Sequence, residues 1–213
     1  KFIYTIVNFQ NPAGCTLSLE RRKKLVEISN KYGVPIFEDD PYGYVRFDGD
    51  HLPSIFSLDQ EGGVIYAGSF SKILAPGTRI GWCTGSRDII RKLTVFKQST
   101  DLCSSPISQA LIYEYCKKGY LDAHLPKIVA DYRAKRDAME DSFKKYLPLD
   151  EVSWVKPEGG FFYWIHMPHI DAEDLFKKAI EKKVAFVIGE HFCVRPGSGI
   201  HNARINFTFS SPA

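Results

Sequence analysis

Val64-Ile65-Tyr66-Ala67, continuing into Gly68-Ser69-Phe70-Ser71-Lys72 with Arg79 seven residues further on, is the stretch that decides the fold. The short apolar run reads as a strand buried on both faces, the kind that parallel sheets are built from. Open α/β sheets take ligands in the crevice beyond the carboxyl ends of their strands, so the polar residues that follow stand where such sheets do their chemistry. Two hydroxyls and a guanidinium suit a phosphate. A lysine between them can form a Schiff base with an aldehyde.

Two upstream segments repeat the pattern. Phe2-Ile3-Tyr4-Thr5-Ile6-Val7 is apolar and β-branched and ends in Asn8-Phe9-Gln10-Asn11-Pro12-Ala13-Gly14. Val34-Pro35-Ile36-Phe37 ends in Glu38-Asp39-Asp40-Pro41-Tyr42. Between them, Leu19 to Tyr32 is rich in helix formers, with Ser18 placed as N-cap and Gly33 as the stop. Strand, helix, strand makes a βαβ unit with parallel strands. On this reading Asn11, Asp39 and Lys72 each follow a strand and gather at one edge of the sheet.

A phosphorylated aldehyde held by such groups is pyridoxal phosphate (PLP). A carboxylate beside a pyridine nitrogen keeps it protonated, so that the ring draws electrons from a bound substrate. Asp39 is the candidate, and strand alternation lets only one or two of Glu38, Asp39 and Asp40 face the crevice. Asn11 and Tyr42 can hydrogen-bond the ring oxygen. Plainer readings stand beside these: a turn at Asn11-Pro12-Ala13-Gly14 and solvated loops at Asp39-Asp40 and Ser69-Lys72. Ser69-x-x-Lys72 also matches the nucleophile motif of penicillin-binding proteins and class A β-lactamases. That motif requires Ser-Asp-Asn and Lys-Thr-Gly elsewhere, and neither tripeptide occurs.

Taken together, Asn11-Pro12-x-Gly14, Asp39-x-x-Tyr42, Ser69-x-Ser71-Lys72, Arg79 and a late Arg204 resemble the class I and II aminotransferases of PLP fold type I. Glu38-Asp39-Asp40-Pro41-Tyr42 and Pro157-Glu158-Gly159-Gly160-Phe161 resemble the branch with 2-aminoadipate and aromatic aminotransferases. The resemblance implies an enzyme that moves an amino group between an amino acid and a 2-oxo acid. Lys72 then binds PLP and shuttles the substrate proton. Asp39 pairs with the ring nitrogen, Tyr42 and Asn11 contact the ring oxygen, and Ser69, Ser71 and Arg79 hold the phosphate. Arg204 binds the α-carboxylate. It also implies a homodimer whose N-terminal half, with a glycine-rich phosphate loop, precedes Lys1, and a final helix after Ser210-Ser211-Pro212-Ala213. These 213 residues alone are then expected to hold PLP weakly and not to transaminate. Two other functions stay open: an aminotransferase-like effector domain behind a winged helix in a transcription regulator, and a PLP lyase on the same fold.

Arg204 heads an alternating segment, Arg204-Ile205-Asn206-Phe207-Thr208-Phe209-Ser210, which puts Ile205, Phe207 and Phe209 on one face and Arg204 on a polar one. The fold class expected is α/β: part of a mostly parallel-sheet PLP domain over residues 1–116, a helical connection over 117–147, and a small α+β domain over 148–213. Its strands are expected at Ser153 to Val155, Phe161 to Ile165, Val184 to Ile188 and Ala203 to Phe209. An amphipathic helix from Ala172 to Lys183 should turn Leu175, Phe176, Ala179 and Ile180 inward. A bend is expected at Gly159-Gly160.

Composition is that of an ordinary globular chain, 44% hydrophobic and 25% charged. A net charge of +3, from 28 basic and 25 acidic residues, gives no reason to expect nucleic acid or a membrane as partner. Five cysteines without a C-x-x-C spacing suggest reduced thiols and a cytoplasmic protein. His166-x-x-His169 lacks a third ligand, so no metal is expected. Gly197-Ser198-Gly199 lacks the strand-then-helix setting of a dinucleotide fingerprint.

Overall fold

The computed structural model describes residues 1–210; the expectation for Ser211, Pro212 and Ala213 lies outside the described residues. The chain divides into two compact units. The first comprises residues 1–8 and 16–129, the second 9–15 and 130–213, so the junction falls inside a long helix.

The first unit opens with β1 (Ile3–Thr5), α1 (Leu19–Tyr32), β2 (Ile36–Asp39), the single turn α2 (Ile55–Leu58), β3 (Val64–Ser69) and β4 (Gly81–Thr84). The sheet order is β1-β2-β3-β4; the first three strands run parallel and β4 is an antiparallel edge. Helix α1 starts and stops where the sequence indicates. Ser18 Oγ accepts from Arg21 N–H (3.4 Å), and Gly33 takes the left-handed conformation at φ 61° that ends a helix without Cβ strain. Its inner face packs Val26 on Val7, Ile36, Ile55 and Val64. Full burial of each such side chain contributes about 2 kcal/mol. Three further helices follow: α3 (Arg87–Thr100), α4 (Pro106–Lys117) and α5 (Tyr120–Tyr146), the last crossing the junction between the units.

The first strand is shorter than its apolar run. Pairing with β2 ends at Thr5↔Glu38, and Val7 instead accepts Leu17 N–H (2.8 Å). Residues 9–15 therefore leave the first unit and pack within the second.

The second unit carries an antiparallel sheet of β5 (Ser153–Trp154), β6 (Phe162–His166), β7 (Val187–Ile188) and β8 (Asn202–Asn206), in the order β5-β6-β8-β7, with α6 (Ala172–Glu181) between β6 and β7. Asp171 caps α6 by accepting from Glu173 and Asp174 N–H groups. Three expectations are corrected here. The strand expected to run to Phe209 ends at Asn206, because Asn206 Oδ1 accepts both the Thr208 N–H and hydroxyl (2.8 Å each) and turns the chain. Phe209 is consequently 93% exposed. Ile180, placed inward by its spacing, is 48% exposed; it stands in the last turn of α6, which ends at Glu181.

Around Arg136 and Glu140 of α5 lies a buried polar cluster. Glu140 accepts from Trp154 Nε1–H and from the Tyr163 hydroxyl (both 2.9 Å), and Arg136 donates to Pro157 O and to Asp137 (both 2.8 Å). Burial opposes ionisation of Glu140, but these donors and Lys144 outweigh it and hold its carboxyl below the usual range.

Candidate active site

Adjacent parallel strands β2 and β3 end at the same edge of the first unit's sheet, with Asp39 opposite Ala67 in register. At that edge the backbone presents Asp39 from β2, Tyr42 three residues on, Ser69 from the last position of β3, and Ser71 and Lys72 from the turn that follows. This turn is a single helical one, closed by Leu74 and Ala75 N–H groups on Phe70 O, and Ser71 N–H donates to Ser69 Oγ (3.0 Å). Lys72 is half-buried within it. The antiparallel return to β4 carries Arg79 back beside the turn, since Phe70 N–H bonds Ile80 O (3.1 Å). Arg79 is exposed, takes φ 54°, and donates to Pro76 O (3.2 Å).

The acidic triplet resolves into two faces. Glu38 and Asp40 turn into the unit, and Asp39 turns the other way. Glu38, fully buried, accepts the Ile55 and Phe56 N–H groups (2.9 and 2.8 Å) at the start of α2. Burial pushes its carboxyl upward, and those two donors only partly oppose the rise. Asp40 accepts from Asn8 Nδ2 and from the Tyr66 hydroxyl (both 3.0 Å). Asn8 Oδ1 in turn takes Arg22 Nη2 (2.6 Å), and Arg22, fully buried, also donates to Leu17 O, Pro53 O and Val7 O. Asp39 keeps one oxygen on the Tyr4 hydroxyl of β1 (2.6 Å). Desolvation and that bond raise the Tyr4 phenol well above its ordinary range, so it stays a donor. Tyr4 was not singled out in the sequence; its place across β1 from Phe37, on the face that Asp39 shares, is the pairing signal that finds it.

Asn11 and Arg204 meet in the second unit. The Asn11–Pro12 peptide bond is cis, and the turn is closed by Gly14 N–H on Gln10 O (2.6 Å) and Ala13 N–H on Gln10 Oε1 (3.0 Å). Gly14, at φ 67°, lies so close to Phe162 that a Cβ would come within 2.7 Å of its carbonyl oxygen. Arg204 Nη1 donates to Asn11 Oδ1 (2.7 Å). The guanidinium lies over two aromatic rings, 4.2 Å from the centroid of Phe162 and 5.0 Å from that of Phe192. The face of β8 read as polar is thus an aromatic one, because Arg204 stands opposite Trp164 of β6. Phe192 carried no signal in the sequence, since it lies outside any regular periodicity. Asn11 packs with the second unit.

Residues 2–211 match the family model for aminotransferase class I and II. The chain belongs to the class I and II aminotransferases. This aminotransferase chain is 47% identical over 98% of its length to aromatic-amino-acid aminotransferase 1 of Thermococcus litoralis, covering 50% of that protein. It superposes with TM-score 0.94 on a Pyrococcus horikoshii kynurenine aminotransferase (46% identity, 98% of this chain, 52% of the other), whose crystals hold PMP. An alpha-aminoadipate aminotransferase from Thermus thermophilus, complexed with N-(5'-phosphopyridoxyl)-L-leucine, gives TM-score 0.92 at 37% identity over 97% of this chain and 54% of that one. The chain spans about half the length of the curated relatives it matches. Among its described residues, no helix is long and apolar enough to cross a membrane, and no group of three or more His, Cys, Asp or Glu is placed to hold a metal ion.

Proposed function

We propose that this protein works in PLP-dependent transamination between an amino acid and a 2-oxo acid, with an aromatic or 2-aminoadipate-like substrate. The observation that carries the reading is the donor set at one sheet edge: a carboxylate, two serines and a lysine at the ends of two adjacent parallel strands, with an arginine on the return to β4. These groups fit the ring nitrogen, the phosphate and the aldehyde of pyridoxal phosphate. The names of the relatives support the substrate class.

When bound, PLP supplies an electron sink for charge developing at the substrate Cα. Asp39 holds the proton on the ring nitrogen, while Tyr4 fixes the carboxylate from behind. Tyr42 and Asn11 are the partners of the ring oxygen. Ser69, Ser71 and Arg79 would hold the phosphate, and the Lys72 amine would hold the aldehyde and move the proton at Cα. Arg204 takes the substrate α-carboxylate in a bidentate pair. In domain terms, residues 1–116 belong to the PLP-binding domain, 117–147 to a helical connection and 148–213 to a small domain. We also propose a homodimer in the cytoplasm. Exposed apolar side chains on α3 and α4, Phe96 (69%) and Leu111 (66%) among them, support an interface, and five free cysteines support a reducing compartment.

The Asp39-Asp40-Pro41-Tyr42 segment supports an enzyme over a regulator's effector domain. Borohydride reduction of the PLP-loaded protein, followed by peptide mapping, tests the assignment. A pyridoxyl label on Lys72 is expected; a label on any other lysine overturns it.

A further inference from the structure

The turn after β7, Gly189 to Phe192, is built around one carboxylate. Glu190 accepts the Gly197 N–H (2.6 Å) with one oxygen and the Gly199 N–H (2.9 Å) with the other. Hydrogen bonds to an ionised acceptor are about twice as strong as neutral ones, so this pair closes residues 190–199 into a ring. The ring is tight as well as tied. A Cβ on Gly189 would come within 2.7 Å of Gly199 O and 2.6 Å of Asn202 O, so the backbone segments touch directly. At the turn's far end Phe192 meets Trp164 edge-on (5.8 Å) and lies 5.0 Å from the Arg204 guanidinium, while Val194 beyond it is 99% exposed.

The two rings that meet Arg204 therefore have different foundations. Phe162 is part of β6, two residues before Trp164, and the sheet holds it. Phe192 belongs to no strand, and its position depends on the turn. We propose that Glu190 is a positioning residue for recognition of the substrate carboxylate: by closing the 190–199 ring it seats Phe192 on the Arg204 guanidinium, so that the fork is oriented before a carboxylate arrives. The inference rests on the reading of Arg204 as the carboxylate-binding residue. It assigns Glu190 no contact with substrate; it acts through Phe192. Prior orientation lowers the ordering cost of binding, and a cation over an aromatic face adds attraction that a loosened ring would lose.

The test compares Glu190→Ala, Phe192→Leu and their double variant in the intact cofactor-loaded protein, with Arg204→Lys as reference. For Glu190→Ala we expect KM for amino donor and 2-oxo acid to rise about fivefold with kcat within about twofold. The dissociation constant of 3-phenylpropionate, a carboxylate with no amino group to transfer, should rise by the same factor in calorimetry, and the absorbance of the bound cofactor should stay unchanged. Phe192→Leu should match it, and the double variant should be no worse than Phe192→Leu alone, because both changes act on one contact. Additive effects, or an unchanged KM and dissociation constant in Glu190→Ala beside a crippled Arg204→Lys, would overturn the inference alone. An unimpaired Arg204→Lys would overturn the reading of Arg204 on which it rests. Should Glu190→Ala fail to fold, Phe192→Leu, which leaves the carboxylate pair intact, decides: an unchanged KM there overturns the role of Phe192 and so of Glu190.

Discussion

In the first unit the candidate catalytic side chains hang from the ends of parallel strands; in the second they are gripped by the side chains around them. Asp39, Ser69 and Lys72 are where they are because β2 and β3 stop side by side, and backbone pairing alone fixes that edge. Arg204 lies in the middle of β8, and what aims it is Asn11 with the rings of Phe162 and Phe192. Substitution should therefore separate the two kinds of site. Changes at a strand end should abolish chemistry and leave binding, and changes in a gripped site should weaken binding first.

The largest effect expected is at Asp39. Asp39→Ala should leave PLP bound and slow substrate proton abstraction about a thousandfold, as loss of a preorganised charge does. Asp40→Ala is the contrast. Asp40 faces the Asn8 amide and the Tyr66 hydroxyl, so its loss should cost about 2 kcal/mol of stability by leaving buried donors unpaired, with little direct effect on rate. Stopped-flow single turnover and thermal melts of both variants check this. A crippled Asp40→Ala beside a nearly normal Asp39→Ala would reverse the face assigned to each carboxylate.

Next in size is the support beneath that edge. Arg22 is wholly buried and gives hydrogen bonds to four acceptors from three separate stretches of chain, and burial lowers its affinity for a proton. Arg22→Ala leaves those acceptors and Asp40 uncompensated, and about 4 kcal/mol of stability should go. Chemical denaturation measures it, and a loss below about 1 kcal/mol would show that water replaces the guanidinium.

Arg204 follows. Arg204→Ala should lower kcat/KM for the amino acid by about 3 kcal/mol, chiefly through KM, and Arg204→Lys should recover little because an ammonium cannot reproduce the fork. If Arg204→Lys is close to wild type, the gripping by two rings does not matter for recognition, and the contrast between the units fails.

The same contrast explains what could be read before the structure. The βαβ frame, the caps of α1, and the sheet edge bearing Asp39 and Lys72 follow from local rules: apolar runs, Ser18 and Gly33 at helix ends, and turns after strands. Nothing local marks Phe192, or pairs Asn11 with Arg204. Those placements come from contacts between residues far apart in sequence, Asn11 with Arg204 being 193 positions apart. The end of β8 was misjudged for a related reason. Alternation continues through Phe209, but the Asn206 side chain captures Thr208 and stops the strand. Period alone cannot see a side chain competing with the ladder.

The smallest effect expected concerns acid. Both units bury a glutamate, and the two lean opposite ways. Glu38 in the first unit is raised, so it adds stability at low pH that is lost as pH rises past its folded value; Glu140 in the second is lowered by its donors. A carboxylate whose folded pKa lies below its unfolded one stabilises the protein above the unfolded value, and that contribution disappears as pH falls through the folded one. Melting temperatures of the second unit should therefore drop as pH falls below the ordinary glutamate range, and Glu140→Gln should flatten that drop while costing about 1–2 kcal/mol near neutrality, where a neutral amide accepts less strongly from Trp154 and Tyr163. Glu38→Gln should act in the reverse sense, removing a loss of stability that sets in as pH rises. Melts of both variants from acid to above neutral pH distinguish the two, with near-ultraviolet dichroism of Trp154 reading the second unit and of Trp82 the first. Parallel pH profiles for Glu140→Gln and the parent would mean that Glu140 is not held ionised by its neighbours, and that the two buried glutamates do not differ as their partners imply.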